Sequence, residues 1–285
     1  MTQPTLFVVA TPIGNLGDLS HRAKTVLASV DLVASEDTRV TARLLSHFNI
    51  KVRQTTLHEY NEDGKVPELI EALESGSSVA LVSDAGTPLI SDPGFRLIKK
   101  AHEAGITISP IPGPSAVIAA VSCSGLPTDR FVFEGFLPAR VGLRKKRLQC
   151  LKYECRTIVF FESVHRIYNT LSDMIIVFGG ERKAAIGREL TKLHEQCIYA
   201  DLNTLAGRIG SDSIPKKGEF VIVVEGSSKE QEPDINVDLL LEELIRALPG
   251  KQAVDIIARV TNVNKNNLYK KMLGIKNSLG LDYTE

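Results

Sequence analysis

The stretch VALVSDAGTPLISDPG, Val79 to Gly94, decides the fold. Val79 to Ser83 is a short apolar run of strand character, and it gives way at once to a loop holding two Gly, two Pro and two Asp. Gly and Pro at that density suit a backbone shaped to lie against a ligand, with main-chain groups supplying contacts. Asp92 before Pro93 also reads as an N-cap followed by the first residue of a helix. The same alternation extends outward: Leu6 to Ala10, Leu32 to Ser35 and Ile106 to Pro110 are strand-like, with helical patterns between them. Such alternation predicts a parallel sheet covered by helices. The loops at 11–18, 36–39, 84–94 and 112–115 then share the carboxyl edge of that sheet, where open α/β sheets bind ligands.

A second cycle begins near Leu126. FVFEGFL at 131–137, TIVFFES at 157–163, AAIGREL at 184–190 and GEFVIVVEG at 218–226 read as strands or strand ends, with helical patterns at about 141–154 and 164–174. Polar SSKEQEPDIN at 227–236 reads as a linker. KQAVDIIARVTNVNKNNLYKKML follows, with apolar Val254, Ile257 and Ala258, a polar turn at Asn262 to Asn264, then Leu268, Met272 and Leu273. That pattern resembles a helix-turn-helix hairpin. The expected division is an α/β domain at 1–124, a second at 125–228 and a helical appendix at 236–285, a chain of 285 residues being long enough for two domains and a sizeable core.

The formal charge is zero, 34 basic against 34 acidic residues, which taken alone argues against a nucleic-acid partner. Charge is not evenly spread, however. From Leu137 to Arg156, seven basic residues face Glu154 alone, a local +6; from Lys251 to Lys276, six face Asp255 alone, a local +5. Either island can follow a phosphate backbone or be a solvated helix face. Four cysteines without a C-x-x-C pair indicate neither a disulfide framework nor a zinc ribbon. The N-terminus lacks a signal-peptide pattern and no apolar run approaches a membrane span, so a cytoplasmic protein without a membrane partner is expected. Signatures of P-loop ATPases, dinucleotide-binding folds, α/β-hydrolases and zincins are absent, and the six histidines lack ligand spacing, so no metal is expected.

TPIGN at 11–15, SEDTR at 35–39, SDAGTPLISDPG at 83–94, PGPSA at 112–116, FEGFLP at 133–138, FFESVHR at 160–166, RELTKLHE at 188–195 and GEFVIVVEG at 218–226 together resemble one family. It is the ribosomal RNA small subunit methyltransferase I family, the 16S rRNA cytidine 2′-O-methyltransferases of the tetrapyrrole methylase superfamily. The resemblance implies two αβα domains with S-adenosyl-L-methionine in the cleft between them, a homodimer, and 16S rRNA, within the 30S subunit, as partner. It also implies cofactor contacts from Pro12, Ile13, Gly14, Ala85, Gly86, Thr87, Ile90, Ser115, Ala116, Phe161, Glu162, Leu190, Gly218, Glu219 and Phe220.

Methyl transfer to a hydroxyl is an in-line displacement that depends on alignment and is helped by a base. Glu36 at a strand tip, with His58 or Glu62 in LHEYNE, is the candidate base, while neighbouring Asp37 reads as a helix cap. Arg144, Lys145, Lys146, Arg147, Arg166, Lys265, Lys270 and Lys271 are candidate RNA contacts, with ion pairing as the alternative for Arg166. Two further readings stay open: a small-molecule, tetrapyrrole-type methylase of the same superfamily, and a ribosome-assembly binding protein without turnover.

Overall fold

The computed structural model describes residues 4–228, 237–261 and 263–279. The first half runs β1 (Thr5–Val9), α1 (His21–Ser29), β2 (Leu32–Ser35), α2 (Thr38–His47), β3 (Arg53–Thr56), α3 (Glu62–Glu74), β4 (Val79–Val82), α4 (Phe95–Glu103), β5 (Thr107–Ile111) and α5 (Ala116–Cys123). Its five strands are all parallel, in the order β3-β2-β4-β1-β5. Apolar residues of β4 alternate between two cores, as a strand buried on both faces requires. Ala80 and Val82 pack with Ala23, Val26 and Leu27 of α1 and Leu45 of α2. Val79 and Leu81 pack with Leu69 and Leu73 of α3 and Leu97 and Ala101 of α4.

The second half follows as β6 (Phe131–Phe136), α6 (Val141–Cys150), β7 (Thr157–Ser163), α7 (Ile167–Phe178), β8 (Lys183–Arg188), β9 (Gln196–Asp201), α8 (Leu202–Gly210) and β10 (Glu219–Val224). Its sheet, β6-β7-β10-β8-β9, is parallel only between β6 and β7. Leu148, Leu171, Met174, Leu205 and Ile209 of α6, α7 and α8 cover one face. The other face is covered from the first half: Val117, Ala120 and Val121 of α5 pack on Val159, Ala185, Val221 and Val223. Thus α5 joins the two sheets into one body while its first turn points back to the loops after β1 and β4.

Two strands lie outside the sequence reading. Both β3 (RQTT) and β9 (QCIYAD) are edge strands, paired on one side only, and neither carries a continuous apolar run. The cap before α4 is a correction as well. Gly94, not Asp92, occupies the N-cap, and its amide donates to Glu62 Oε1 at 2.8 Å.

Residues 237–279 form a separate unit with α9 (Val237–Ala247), α10 (Gly250–Val260) and α11 (Lys265–Leu279). Its own core contains Leu241, Ile245, Ala253, Val254, Ile257, Leu268 and Met272, so the apolar spacing read as a helical hairpin is the spacing of a buried seam; Leu273 is exposed. Residues 229–236 of the expected linker, Asn262 of the expected turn and the Lys276 side chain lie outside the described residues. Among the described residues no helix is long and apolar enough to cross a membrane.

Candidate functional site

The loops that follow β1, β4 and β5 are stitched together at the carboxyl edge of the first sheet. Thr11 and Gly86 exchange two backbone hydrogen bonds, 2.9 and 3.0 Å. The Thr11 hydroxyl donates to the Ser83 carbonyl at 3.1 Å, and the Thr87 hydroxyl donates to the Pro114 carbonyl at 3.1 Å. Gly86 has φ 83° and a Cβ there would meet Ile13 Cγ2 at 3.3 Å, so the exchange with Thr11 depends on glycine. Further along the same loop, Leu89 and Ser91 are held at φ 75° and 69°, costly conformations for residues with side chains. Ser91 then reaches the second sheet, its hydroxyl 3.2 Å from where a Cβ of Gly135 would stand, at the bulge in β6.

These loops form one wall of a cavity of about 380 Å³. Ile13, Ala85, Gly86, Thr87, Ile90, Ser91, Asp92, Ser115 and Ala116 contribute from the first half; Phe136, Phe161 to Val164 and Gly218 to Val221 contribute from the second. The aromatic side is ordered by edge contacts, with Phe161 centroids 4.9 Å from Phe133 and 5.6 Å from Phe136. Glu162 is fully buried; it accepts from the Thr170 hydroxyl at 2.6 Å and the Ser163 amide at 2.7 Å and pairs with Arg166 at 2.8 Å. Its carboxylate therefore fixes the turn between β7 and α7. Next to the lining residue Glu219, the Lys192 ammonium bridges Glu189 at 2.8 Å and Glu219 at 2.9 Å, and its stem runs over Gly14 too closely for any side chain there.

Of the expected cofactor contacts, Ile13, Ala85, Gly86, Thr87, Ile90, Ser115, Ala116, Phe161, Glu162, Gly218, Glu219 and Phe220 all line this one cavity. Pro12, Gly14 and Leu190 do not; Leu190 packs behind the wall in the same apolar cluster as Ile13. Sequence reasoning missed Ser91, Asp92, Phe136, Ser163, Val164 and Val221 as wall residues. Asp92 had a signal, since it sits in the same Gly and Pro loop, but it was assigned to a cap.

None of Glu36, His58 and Glu62 lines the cavity. Glu62 is buried and spent on the Gly94 amide and on Arg96, 3.6 Å away, so its carboxylate is a brace between α3 and α4. Asp37 caps α2 as expected, accepting from the Arg39 amide at 2.8 Å, and the Arg39 side chain pulls its carboxyl down to about 2. Glu36 stands beside a group of carboxylates. Burial, then Asp84 and Asp92, raise its proton affinity, and His58 offsets part of that rise. Asp84 is raised by burial although the Asp37 amide donates to it at 3.0 Å; Asp92 is raised by burial and by Asp84, with the Ser83 hydroxyl opposing.

The first basic island is largely neutralised internally. Arg144 is a correction to the RNA-contact reading: its side chain is 4% exposed and pairs with Asp173 at 2.7 Å while donating to the Ala139 carbonyl. Lys145 shares Asp173 at 3.5 Å, and Arg147 grips Glu134 with two donors. Arg166 is held by Glu162 and the Leu137 carbonyl. In the helical unit Lys265 pairs with Asp255 at 2.8 Å and Lys271 with Asp238 at 2.6 Å. Lys146 and Lys270 are exposed and carry no ion pair among the described residues.

Residues 5–206 match the family model described as Tetrapyrrole (Corrin/Porphyrin) Methylases, and residues 230–276 match the RsmI C-terminal HTH domain. The chain is 49% identical to the ribosomal RNA small subunit methyltransferase I of Pseudomonas aeruginosa over 96% of its own length and 98% of the relative's. Its identity to the protein of that name from Escherichia coli O157:H7 is 46%, over 95% of this chain and 96% of the relative. Among solved structures, a cobalamin biosynthetic enzyme, cobalt precorrin-4 methyltransferase, aligns with TM-score 0.57 at 16% identity over 78% of this chain and 94% of that one. The uroporphyrin-III-C-methyltransferase of Thermus thermophilus aligns with TM-score 0.56 at 18% identity, with the same coverage of each chain. At those identities the likeness is one of fold.

Proposed function

Since this chain belongs to the tetrapyrrole methylases and, within them, to the ribosomal RNA small subunit methyltransferase I family, we propose that it is an S-adenosyl-L-methionine-dependent rRNA methyltransferase that 2′-O-methylates a cytidine ribose of 16S rRNA in the small ribosomal subunit. The observation that carries the reading is the two-sided cavity at the strand ends. Its volume, about 380 Å³, falls among small-molecule sites, and its wall combines apolar faces at Ile13, Ile90, Phe161 and Phe220 with main-chain groups of a glycine loop. Those faces suit an adenosyl group. Glu219 suits the cationic methionine end. Bound there, the cofactor supplies a methyl group on a sulfonium.

The protein's part is to hold and orient. Thr11, Gly86, Thr87 and Pro114 fix the loops in advance of binding, so alignment costs little when the ligand arrives. Pro12, Gly14 and Leu190 support the wall from behind, and Glu36 and His58 act on its electrostatics from outside it. Lys146 and Lys270 offer unpaired cations to RNA phosphates, with Arg147, Arg166, Lys265 and Lys271 available only by exchanging their present carboxylates. The division at 1–124, 125–228 and 236–285, the homodimer, the 30S context and a cytoplasmic site of action belong to the same reading.

Methyl transfer from radiolabelled S-adenosyl-L-methionine to 30S particles, free 16S rRNA and a tetrapyrrole precursor, followed by nucleoside analysis, tests it. Label in the ribose of one cytidine is expected. Label in the tetrapyrrole alone, or binding of 30S particles without transfer, refutes it in favour of the small-molecule or the assembly-protein reading.

A further inference from the structure

Resting on that reading, we propose that Asp92 is the catalytic residue that receives the proton of the acceptor hydroxyl. Three acidic residues line the cavity. The Glu162 carboxylate is buried and consumed by Arg166, Thr170 and Ser163, and that of Glu219 is held by Lys192. Asp92 alone of the three has no cationic partner among the described residues; its carboxylate is half-buried in the wall, close to Asp84. Left-handed Leu89 and Ser91 immediately before it, and the bond from the Gly94 amide to Glu62 just after it, pin the segment on both sides. Glu36 and His58 lie outside the wall, so they do not touch the acceptor, and of the two only Glu36 interacts electrostatically with Asp92.

The transfer balances without a further reactant. The acceptor oxygen gains a bond to the methyl carbon as the carbon–sulfur bond breaks with its electron pair left on sulfur, and the hydroxyl proton passes to the Asp92 carboxylate. Burial and Asp84 make that carboxylate a stronger base than an exposed aspartate. The charged groups around the segment are Asp84, Glu36, the Asp37–Arg39 and Glu62–Arg96 pairs and His58 from the first half, and the Glu162–Arg166 and Glu219–Lys192 pairs from the second.

The test compares wild type with Asp92→Asn for S-adenosyl-L-methionine affinity by calorimetry, for methyl transfer to the RNA substrate, and for the pH dependence of kcat. The expected result is an affinity within about threefold of wild type, a kcat lower by roughly 100-fold to 10,000-fold, the span of general-base catalysis, and loss of the acidic limb of the profile. Asp84→Asn, which removes a neighbouring like charge that raises the Asp92 proton affinity, should move that limb to lower pH. An unchanged kcat in Asp92→Asn, a loss confined to cofactor affinity, or an acidic limb that neither variant alters overturns the assignment. The wild-type arm tests the acceptor separately: RNA labelled by wild type and Asp92→Asn alike sinks Asp92 alone, whereas no label from wild type sinks the acceptor reading and Asp92 with it.

Discussion

Arg144 is the position where composition and structure disagree most, and replacing it separates the two. In sequence it opens a run of four cations that suits RNA; in the fold its guanidinium is buried against Asp173, itself 6% exposed. Removing one member of a buried pair typically costs about 3–5 kcal/mol, because the remaining charge stays desolvated. Lys145, 3.5 Å from the other Asp173 oxygen, retains part of the compensation, which puts Arg144→Ala near the lower end, about 3 kcal/mol. For a body of this size each kcal/mol moves Tm by roughly 2–4 °C, so a fall of about 6–12 °C is expected by differential scanning calorimetry. RNA affinity of the folded variant, measured below its transition, should equal that of wild type. Lys146→Ala is the mirror control: Tm within about 1–2 °C, with weaker RNA binding and a salt dependence shallower by about one phosphate contact. Arg144→Ala with unchanged Tm and weakened RNA binding would refute the argument.

Gly86→Ala should lose about 1–2 kcal/mol from the left-handed backbone alone and bind S-adenosyl-L-methionine more weakly, because the Thr11 exchange and the Ile13 contact both shift; thermal melts with and without cofactor separate the two effects. Glu62→Ala should destabilise by about 1–3 kcal/mol by orphaning the Gly94 amide, while Glu62→Gln, which keeps the acceptor, should cost less than 1 kcal/mol; an acidic limb in the rate profile that disappears with Glu62→Gln would restore it as a base. For Asp92 the sign follows from its raised proton affinity. The folded protein holds that proton more tightly than the unfolded chain, so ionisation withdraws stability as pH rises from the unfolded carboxylate range through the raised folded value. Asp92→Asn should therefore raise Tm of the cofactor-free protein at neutral pH, with the gain vanishing at acid pH; a gain that persists in acid would point to a cause other than charge.

Central strands were legible because they are buried on both faces: β2, β4 and β7 read as unbroken apolar runs, and loops rich in Gly and Pro follow β1, β4 and β5. Strands β3 and β9 were not, since RQTT and QCIYAD are rich in polar residues and look like loop, whereas β5 and β6, also at sheet edges, keep enough apolar residues to read. The cavity wall was legible through the resemblance, and its first-half members also through the turn residues that a close backbone approach demands. Left-handed Leu89 and Ser91 could not be read, because neither residue type calls for that conformation; the loop between Gly86 and Gly94 imposes it. The position of Glu62 could not be read for a related reason. LHEYNE looks like a loop offering His and Glu to a ligand, yet Glu62 begins α3 and turns inward to the Gly94 amide.

Charge is where local counting carries least. Sequence proximity assembled a +6 island, but a carboxylate distant in sequence neutralises a cation as well as a near one does: Asp173 takes Arg144 and Lys145, and Glu134 takes Arg147. What the island presents outward is the cations that find no carboxylate among the described residues, exposed Arg140 and Lys146 with half-buried Lys152, together with side chains whose pairs are exposed enough to exchange. An exposed pair such as Arg147 with Glu134 is worth about 0–1 kcal/mol, so a phosphate can displace the carboxylate at little cost; the buried Arg144 pair cannot be traded that way. Burial of the pair, more than the number of cations, therefore sorts the groups free to meet a phosphate from the structural ones.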